Sequence, residues 1–209
     1  LQYYGRCDGE LWRWDIENDQ VVNRVKLYTG PATRPCIAPD GQHIGFLKGS
    51  KVAVIATTGG AVTELATCNQ NSYHDFPHKD WIYYIEEGSF WEPNSNTLKR
   101  VNINTKASET VVAFKNASGG SGARVSQIQI SNDLKRATIR PGDNDESDPK
   151  GTILVYDFVS GNGRFGRVIS PAWSCASGQS SDGQYVIDGH GAHDGFDIRR
   201  WDNGNLVTS

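Results

Sequence analysis

Three clusters in this chain have residue types and spacings that chemistry can use. His190-Gly191-Ala192-His193-Asp194 sets two imidazoles three residues apart beside a carboxylate. Such a set ligates a transition metal or grips a polar ligand, and the flanking glycines let the backbone turn tightly. Two histidines fall short of a metal site, so a third ligand would have to come from elsewhere, with His74, Asp75 and His78 as candidates. The bland alternative is a hairpin loop whose histidines contact neighbouring backbone. Asp143, Asp145 and Ser147 alternate as oxygen ligands do around calcium. The EF-hand pattern nevertheless fails, because Asp148 stands where glycine is needed and no glutamate closes the loop. A solvated acidic loop explains the same residues. The third cluster, Phe90-Trp91-Glu92, sits in a loop that continues Pro93-Asn94-Ser95-Asn96. An exposed aromatic pair beside polar groups suits a sugar ring or a protein groove. Alternatively, the two rings fold back and plug the loop.

These clusters must be held by something, and the chain between them is written in short period-two segments. The clearest stretch runs Arg34-Pro35-Cys36-Ile37-Ala38, a Pro39-Asp40-Gly41 turn, and His43-Ile44-Gly45-Phe46. It continues with Val52-Ala53-Val54-Ile55, a Gly59-Gly60 turn and Val62-Thr63-Glu64-Leu65. This reads as four strands with tight turns. The turn returns as Ser181-Asp182-Gly183 and as Ser131-Asn132-Asp133-Leu134. The third strand of each unit ends near Asp15, Ala56, Asn102, Asp157 and Asp202, at steps of 41, 46, 55 and 45 residues. The long step contains an insertion at Pro141 to Gly151.

A period of this size with four strands per unit predicts an all-β fold, a β-propeller of about five four-stranded blades. The expected blades are residues 1–30, 31–68, 69–114, 123–170 and 171–209, forming one domain. The first lacks an inner strand, and the last ends as its outer strand begins. Either the missing strand lies beyond Ser209, or the chain is a piece of something longer.

The Pro-Asp-Gly turn, the Ile44-Gly45-Phe46 strand and the Gly-Gly turn resemble the WD40-like repeats of the TolB-type propellers. The resemblance covers most of the chain at the level of the repeat and is strongest in the second unit. It implies a propeller fold and a role in binding proteins or glycans. It carries no catalytic residues, because the motif is a turn signature and not an active site.

In such a fold the connections between second and third strands emerge on one face. Here they are Lys48 to Lys51, Glu87 to Asn96, Pro141 to Gly151 and Gly189 to Gly195, so all three clusters occupy the longer ones. Long loops on a rigid scaffold are where binding resides. The inner strands offer Arg34, His74, Asp75, Ser126, Gln127 and Ser174. One of these is acidic, whereas glycoside hydrolysis needs two carboxylates across a pocket. Catalysis is therefore not expected, unless Asp75 faces a second carboxylate.

Composition narrows the classes further. The 209 residues are 37% hydrophobic with 23 glycines, which fits many short strands and turns. A net charge of −3 with mixed signs supplies no field for nucleic acid, and no apolar run approaches a membrane span. The chain begins with Leu and contains no Met, as a processed secreted or periplasmic protein would, and equally as an excised fragment would. Cys7, Cys36, Cys68 and Cys175 form no metal knuckle, and their pairing is open. Cys36 and Cys175 read as equivalent inner-strand positions. Asn116-Ala117-Ser118 is a glycosylation sequon. No cofactor is expected, with calcium the one ion the acidic loop invites. The expected function is a non-catalytic binding or scaffolding module whose partner is a protein, copies of itself or a glycan.

Overall fold

The computed structural model describes residues 2–7, 9–68, 74–86, 97–113, 125–131, 133–141, 152–157, 166–169, 174–179, 184–190, 196–200 and 205–208. Among them there is no helix, so none is long and apolar enough to cross a membrane. The strands form five antiparallel sheets, each built from consecutive strands. The first has three: β1 (Gln2–Cys7), β2 (Glu10–Glu17) and β3 (Gln20–Tyr28). The second holds β4 (Thr33–Ile37), β5 (His43–Lys48), β6 (Lys51–Ala56) and β7 (Thr63–Thr67). The third holds β8 (His74–His78), β9 (Trp81–Glu86), β10 (Thr97–Asn102) and β11 (Ser108–Ala113). The fourth holds β12 (Val125–Ile130), β13 (Arg136–Pro141), β14 (Thr152–Asp157) and β15 (Gly166–Ile169). The fifth holds β16 (Ser174–Gln179), β17 (Tyr185–His190), β18 (Phe196–Arg200) and β19 (Leu206–Thr208). The chain divides into two compact units, residues 1–87 with 97–111 and residues 88–96 with 112–209.

In the first unit the central strands of the second sheet are buried at four consecutive positions each, Ile44 to Leu47 and Val52 to Ile55, not at alternate ones. The reason is that both faces are covered. Ile44, Phe46, Ala53 and Ile55 pack with Leu11 and Leu27 of the first sheet. Leu47, Val52 and Val54 point the other way, onto Phe76, Ile82, Tyr84 and Val101 of the third. A sheet sandwiched between two others loses the polar half of its period. The outermost strand β3 keeps it little, with Val21 and Val22 more than half exposed.

The Pro-Asp-Gly turn has a plain mechanism. The Gly41 amide donates to the Ala38 carbonyl and the Ala38 amide to that of His43, both at 2.9 Å. The Asp40 side chain accepts from the Gln42 amide at 3.0 Å, and Gly41 takes the left-handed conformation at φ 69°. This is turn chemistry of the aspartate-plus-glycine kind.

Three details differ from the sequence reading. First, β2 does not end near Asp15 but runs to Glu17, because Asn18 and Asp19, at φ 48° and 60°, make the tight turn into β3. Second, the first strand of every four-stranded sheet breaks register against the second: at Thr33/Cys36, Asp75/His78, Val125/Gln127 and Ser174/Ala176. Pro35 and Pro77 fall inside two of these breaks, on edge strands where a missing N–H leaves the ladder undamaged. Third, Cys36 and Cys175 are not equivalent. Cys36 pairs with Gly45, whereas Cys175 lies in the break between Ser174 and Ala176. Cys36 is a half-buried free thiol, and Cys68 is buried.

Candidate functional site

Within the first unit, β4 lies beside both β1 and β8, so the first strands of the second and third sheets adjoin. At this seam Arg34 lies within the β4 break, whereas Cys36, His74 and Asp75 are paired, with Gly45, Tyr84 and Tyr83, beside the breaks. Arg34 sits at φ 53°, the left-handed region that a bulky residue occupies at a cost of about 1–2 kcal/mol. A bulge is a common means of re-aiming a side chain.

The electrostatics of the seam favour neutral groups. His74 is 9% exposed, and neither ring nitrogen makes a hydrogen bond of good geometry, the Gly45 backbone being its weak polar partner. Burial pushes its pKa down to about 4; the Gly45 backbone opposes that and the Arg34 charge adds to it. The imidazole is therefore uncharged at neutral pH. Burial pushes the Cys36 thiol well above its ordinary range, and the Asp75 carboxylate pushes it further. The Cys36 thiol donates to the Gly45 carbonyl at 3.6 Å. The Asp75 carboxylate accepts from the Phe76 amide at 2.8 Å. A buried thiol held protonated by a carboxylate near it is not an activated nucleophile. On β4 and β8 the single described carboxylate is Asp75, one short of a glycosidase pair.

Among the described residues no three histidine, cysteine or acidic side chains could hold a metal ion. The nearby His78 accepts the Asp80 amide at 3.2 Å through Nδ1, closing its own turn.

The loop residues singled out from sequence lie mostly outside the described residues. Phe90, Trp91 and Glu92 fall in the connection from β9 to β10, and Asp143, Asp145 and Ser147 in that from β13 to β14. His193 and Asp194 fall between β17 and β18. His190 is placed as the last residue of β17, paired with Ser174 of β16. All three loops thus join a second strand to a third within their own sheets. The matching connection in the second sheet is only Gly49-Ser50.

Sequence reasoning missed two ring–cation arrangements on the first unit. The Arg24 guanidinium lies 4.2 Å from the Trp12 ring centroid, and Lys26 covers the same ring at 5.1 Å. Arg100 lies 4.5 Å from the Trp81 centroid and donates to the Tyr83 hydroxyl at 3.1 Å. The signal was available for Trp12, since Arg24 and Lys26 come from the strand hairpinned against it.

No protein-family model matches the chain, and no curated protein matches it by sequence. Solved structures do. Hydrazine synthase of Kuenenia stuttgartiensis is similar at a TM-score of 0.61 and 16% identity, over 92% of this chain and 57% of that one. TolB of Acinetobacter baumannii is similar at a TM-score of 0.62 and 16% identity, over 94% of this chain and 47% of that one. The chain spans about half the length of these solved chains. At such identity the likeness is one of fold: an all-β, propeller-like arrangement of four-stranded antiparallel sheets, shared with TolB.

Proposed function

We propose that the chain is a non-catalytic binding module of the propeller type, with about five blades. It engages a protein partner, or copies of itself, through the loops between second and third strands of the third to fifth sheets. One observation carries the reading: these three connections are long and chemically rich, whereas the equivalent one in the second sheet is two residues. Phe90 and Trp91 are the apolar anchor, with Glu92 fixing orientation. His190, His193 and Asp194, and the acidic Asp143, Asp145 and Ser147, set specificity at the rim. The quenched state of Cys36 and His74 supports a non-catalytic role. A secreted or periplasmic location belongs to the same proposal and rests on the TolB-like fold.

A glycan is the second reading, favoured by an aromatic pair flanked by Glu92, Asn94 and Asn96. The test is Trp91→Ala. Its melting curve should match that of the parent protein. Self-association by sedimentation, or retention on a glycan array, should weaken by more than about 1 kcal/mol. A large loss of stability with unchanged binding would make Trp91 a core residue and sink the rim reading.

A further inference from the structure

Cys36 and His74 come from different sheets and meet at Gly45. Cys36 pairs with Gly45 in the β4–β5 ladder, and its thiol reaches the Gly45 carbonyl at 3.6 Å. It packs toward the third sheet, against the cluster that holds Phe76, Ile82 and Tyr84. His74 stands two residues before Phe76 on β8 and is paired with Tyr84 of β9. Alternation along the strand puts it on the same face as Phe76. Burial lowers the His74 pKa and the Gly45 backbone raises it, as a nearby accepting carbonyl does. Sulfur and imidazole thus approach one backbone group from the two sides of the seam. Gly45 permits this, since a Cβ there would lie 3.2 Å from Cys36 Sγ and 3.3 Å from Phe76 Cδ1. The imidazole is 9% exposed, and both of its nitrogens lack a hydrogen bond of good geometry. A buried polar group in that state calls for an explanation beyond packing.

We propose that Cys36 and His74 form a two-coordinate site for a soft monovalent cation, copper(I). Thiolate sulfur selects such an ion, and imidazole nitrogen ligates it as well. On binding, the Cys36 S–H bond breaks, a sulfur–copper bond forms, and the proton leaves to solvent. One nitrogen of the neutral His74 ring donates its electron pair, and no oxidation state changes. Thiolate, neutral imidazole and a monovalent cation sum to zero charge. That suits a seam lined by Phe76, Ile82 and Tyr84, where a net charge is costly. A divalent ion would leave a positive charge there, beside an Arg34 charge that already bears on His74. Zinc in a structural site also asks for four ligands, and the described residues offer no set of three. Asp75 follows His74 on β8, so by the same alternation it lies on the other face and is not a third ligand. The pair is separate from the rim loops, and neither site depends on the other.

The test is anaerobic titration of the reduced protein with copper(I) against a colour-forming copper(I) chelator, joined to X-ray absorption at the copper edge. The expected result is a single ion held by one sulfur and one nitrogen, with one proton released as it binds. Cys36→Ala and His74→Gln should each weaken binding by more than about a hundredfold, the upper end for a residue that only supports a ligand. Cys7→Ala, Cys68→Ala and Cys175→Ala should leave it unchanged. Because Cys36 and His74 lie in a packed seam, the absorption spectrum of the unaltered protein gives a readout that no variant's folding disturbs. Coordination by sulfur alone would overturn the proposal and leave adventitious capture by thiols. So would undiminished binding by Cys36→Ala or His74→Gln, or no ion retained against the chelator.

Discussion

Gly45 tests whether the seam between β4, β5 and β8 is as closed as the distances say. A Cβ added there would sit 3.1 Å from Ile82 Cδ1, 3.2 Å from Cys36 Sγ and 3.3 Å from Phe76 Cδ1. Ile82 and Phe76 are fully or almost fully buried, so neither has room to swing away. Overpacking of a tight core costs about 1–3 kcal/mol. Against this, alanine in place of glycine restricts the unfolded chain and returns about 0.5–1 kcal/mol. The backbone at Gly45 is outside the left-handed region, so no torsional penalty enters. Gly45→Ala should therefore destabilise by about 1–2 kcal/mol, read from urea unfolding with an unchanged m-value. Adding Cys36→Ala removes one of the three contacts. The double variant should be less destabilised than the sum of the singles by about 0.5 kcal/mol or more. If Gly45→Ala is neutral or stabilising, the space around Gly45 is open and the description of the seam is wrong. Strict additivity would remove Cys36 from the contact.

Gly41→Ala should cost about 1 kcal/mol for a different reason: nothing lies within 4 Å, but the residue sits at φ 69°, so the penalty is purely torsional. A neutral result in thermal melts would mean that the turn relaxes. The His74 value in the folded protein, about 4, lies below the ordinary 6.5, so the unfolded chain binds the proton more tightly. Its contribution is complete above about pH 6.5 and is lost as pH falls toward 4, by up to about 3 kcal/mol. His74→Gln should flatten unfolding free energy against pH over that window, and an unchanged slope would refute its burial. If Asp143, Asp145 and Ser147 ligate calcium, chelation lowers the melting midpoint and added calcium restores it. An unchanged midpoint leaves a solvated acidic loop.

The fold was legible where strong local signals coincide. The strands around Pro39-Asp40-Gly41 and Gly59-Gly60 stand at β4 to β7 because turn residues and apolar runs there agree. The register breaks were not legible, because a bulge is decided by the neighbouring strand rather than by the residues that bulge. The misreading of Cys36 and Cys175 as equivalent has that origin: one lies within the ladder and the other within a break. For the candidate site, the loops of interest were located by length and composition, which sequence carries directly. The seam of Arg34, Cys36, His74 and Asp75 was half visible. Three of its four members were named as inner-strand polar residues. The neutral state of the thiol and imidazole depends on burial between sheets far apart in sequence, and no local pattern encodes that.

The two described turns of the Asp-Gly type explain why the repeat is faint in places. Ser131 to Arg136 makes the same backbone bonds as Ala38 to His43. The Leu134 amide donates to Ser131 at 2.8 Å, and the Ser131 amide to Arg136 at 2.9 Å. Asp133 accepts the Lys135 amide at 3.0 Å, as Asp40 accepts that of Gln42. Yet the left-handed position holds Leu134 at φ 58°, where the second sheet has glycine. Leucine there costs about 1–2 kcal/mol. Ser131 supplies what Ala38 does not: its hydroxyl accepts the Arg136 amide at 3.0 Å and donates to Asp133 at 2.6 Å. Two such bonds, one to a carboxylate, contribute enough to offset the strain. The geometry of the turn therefore survives the loss of its most recognisable residue. What the two turns share is an aspartate cap two residues past the turn's first position, and that short signal is what marks Ser131 to Leu134 as a return of the turn in the sequence.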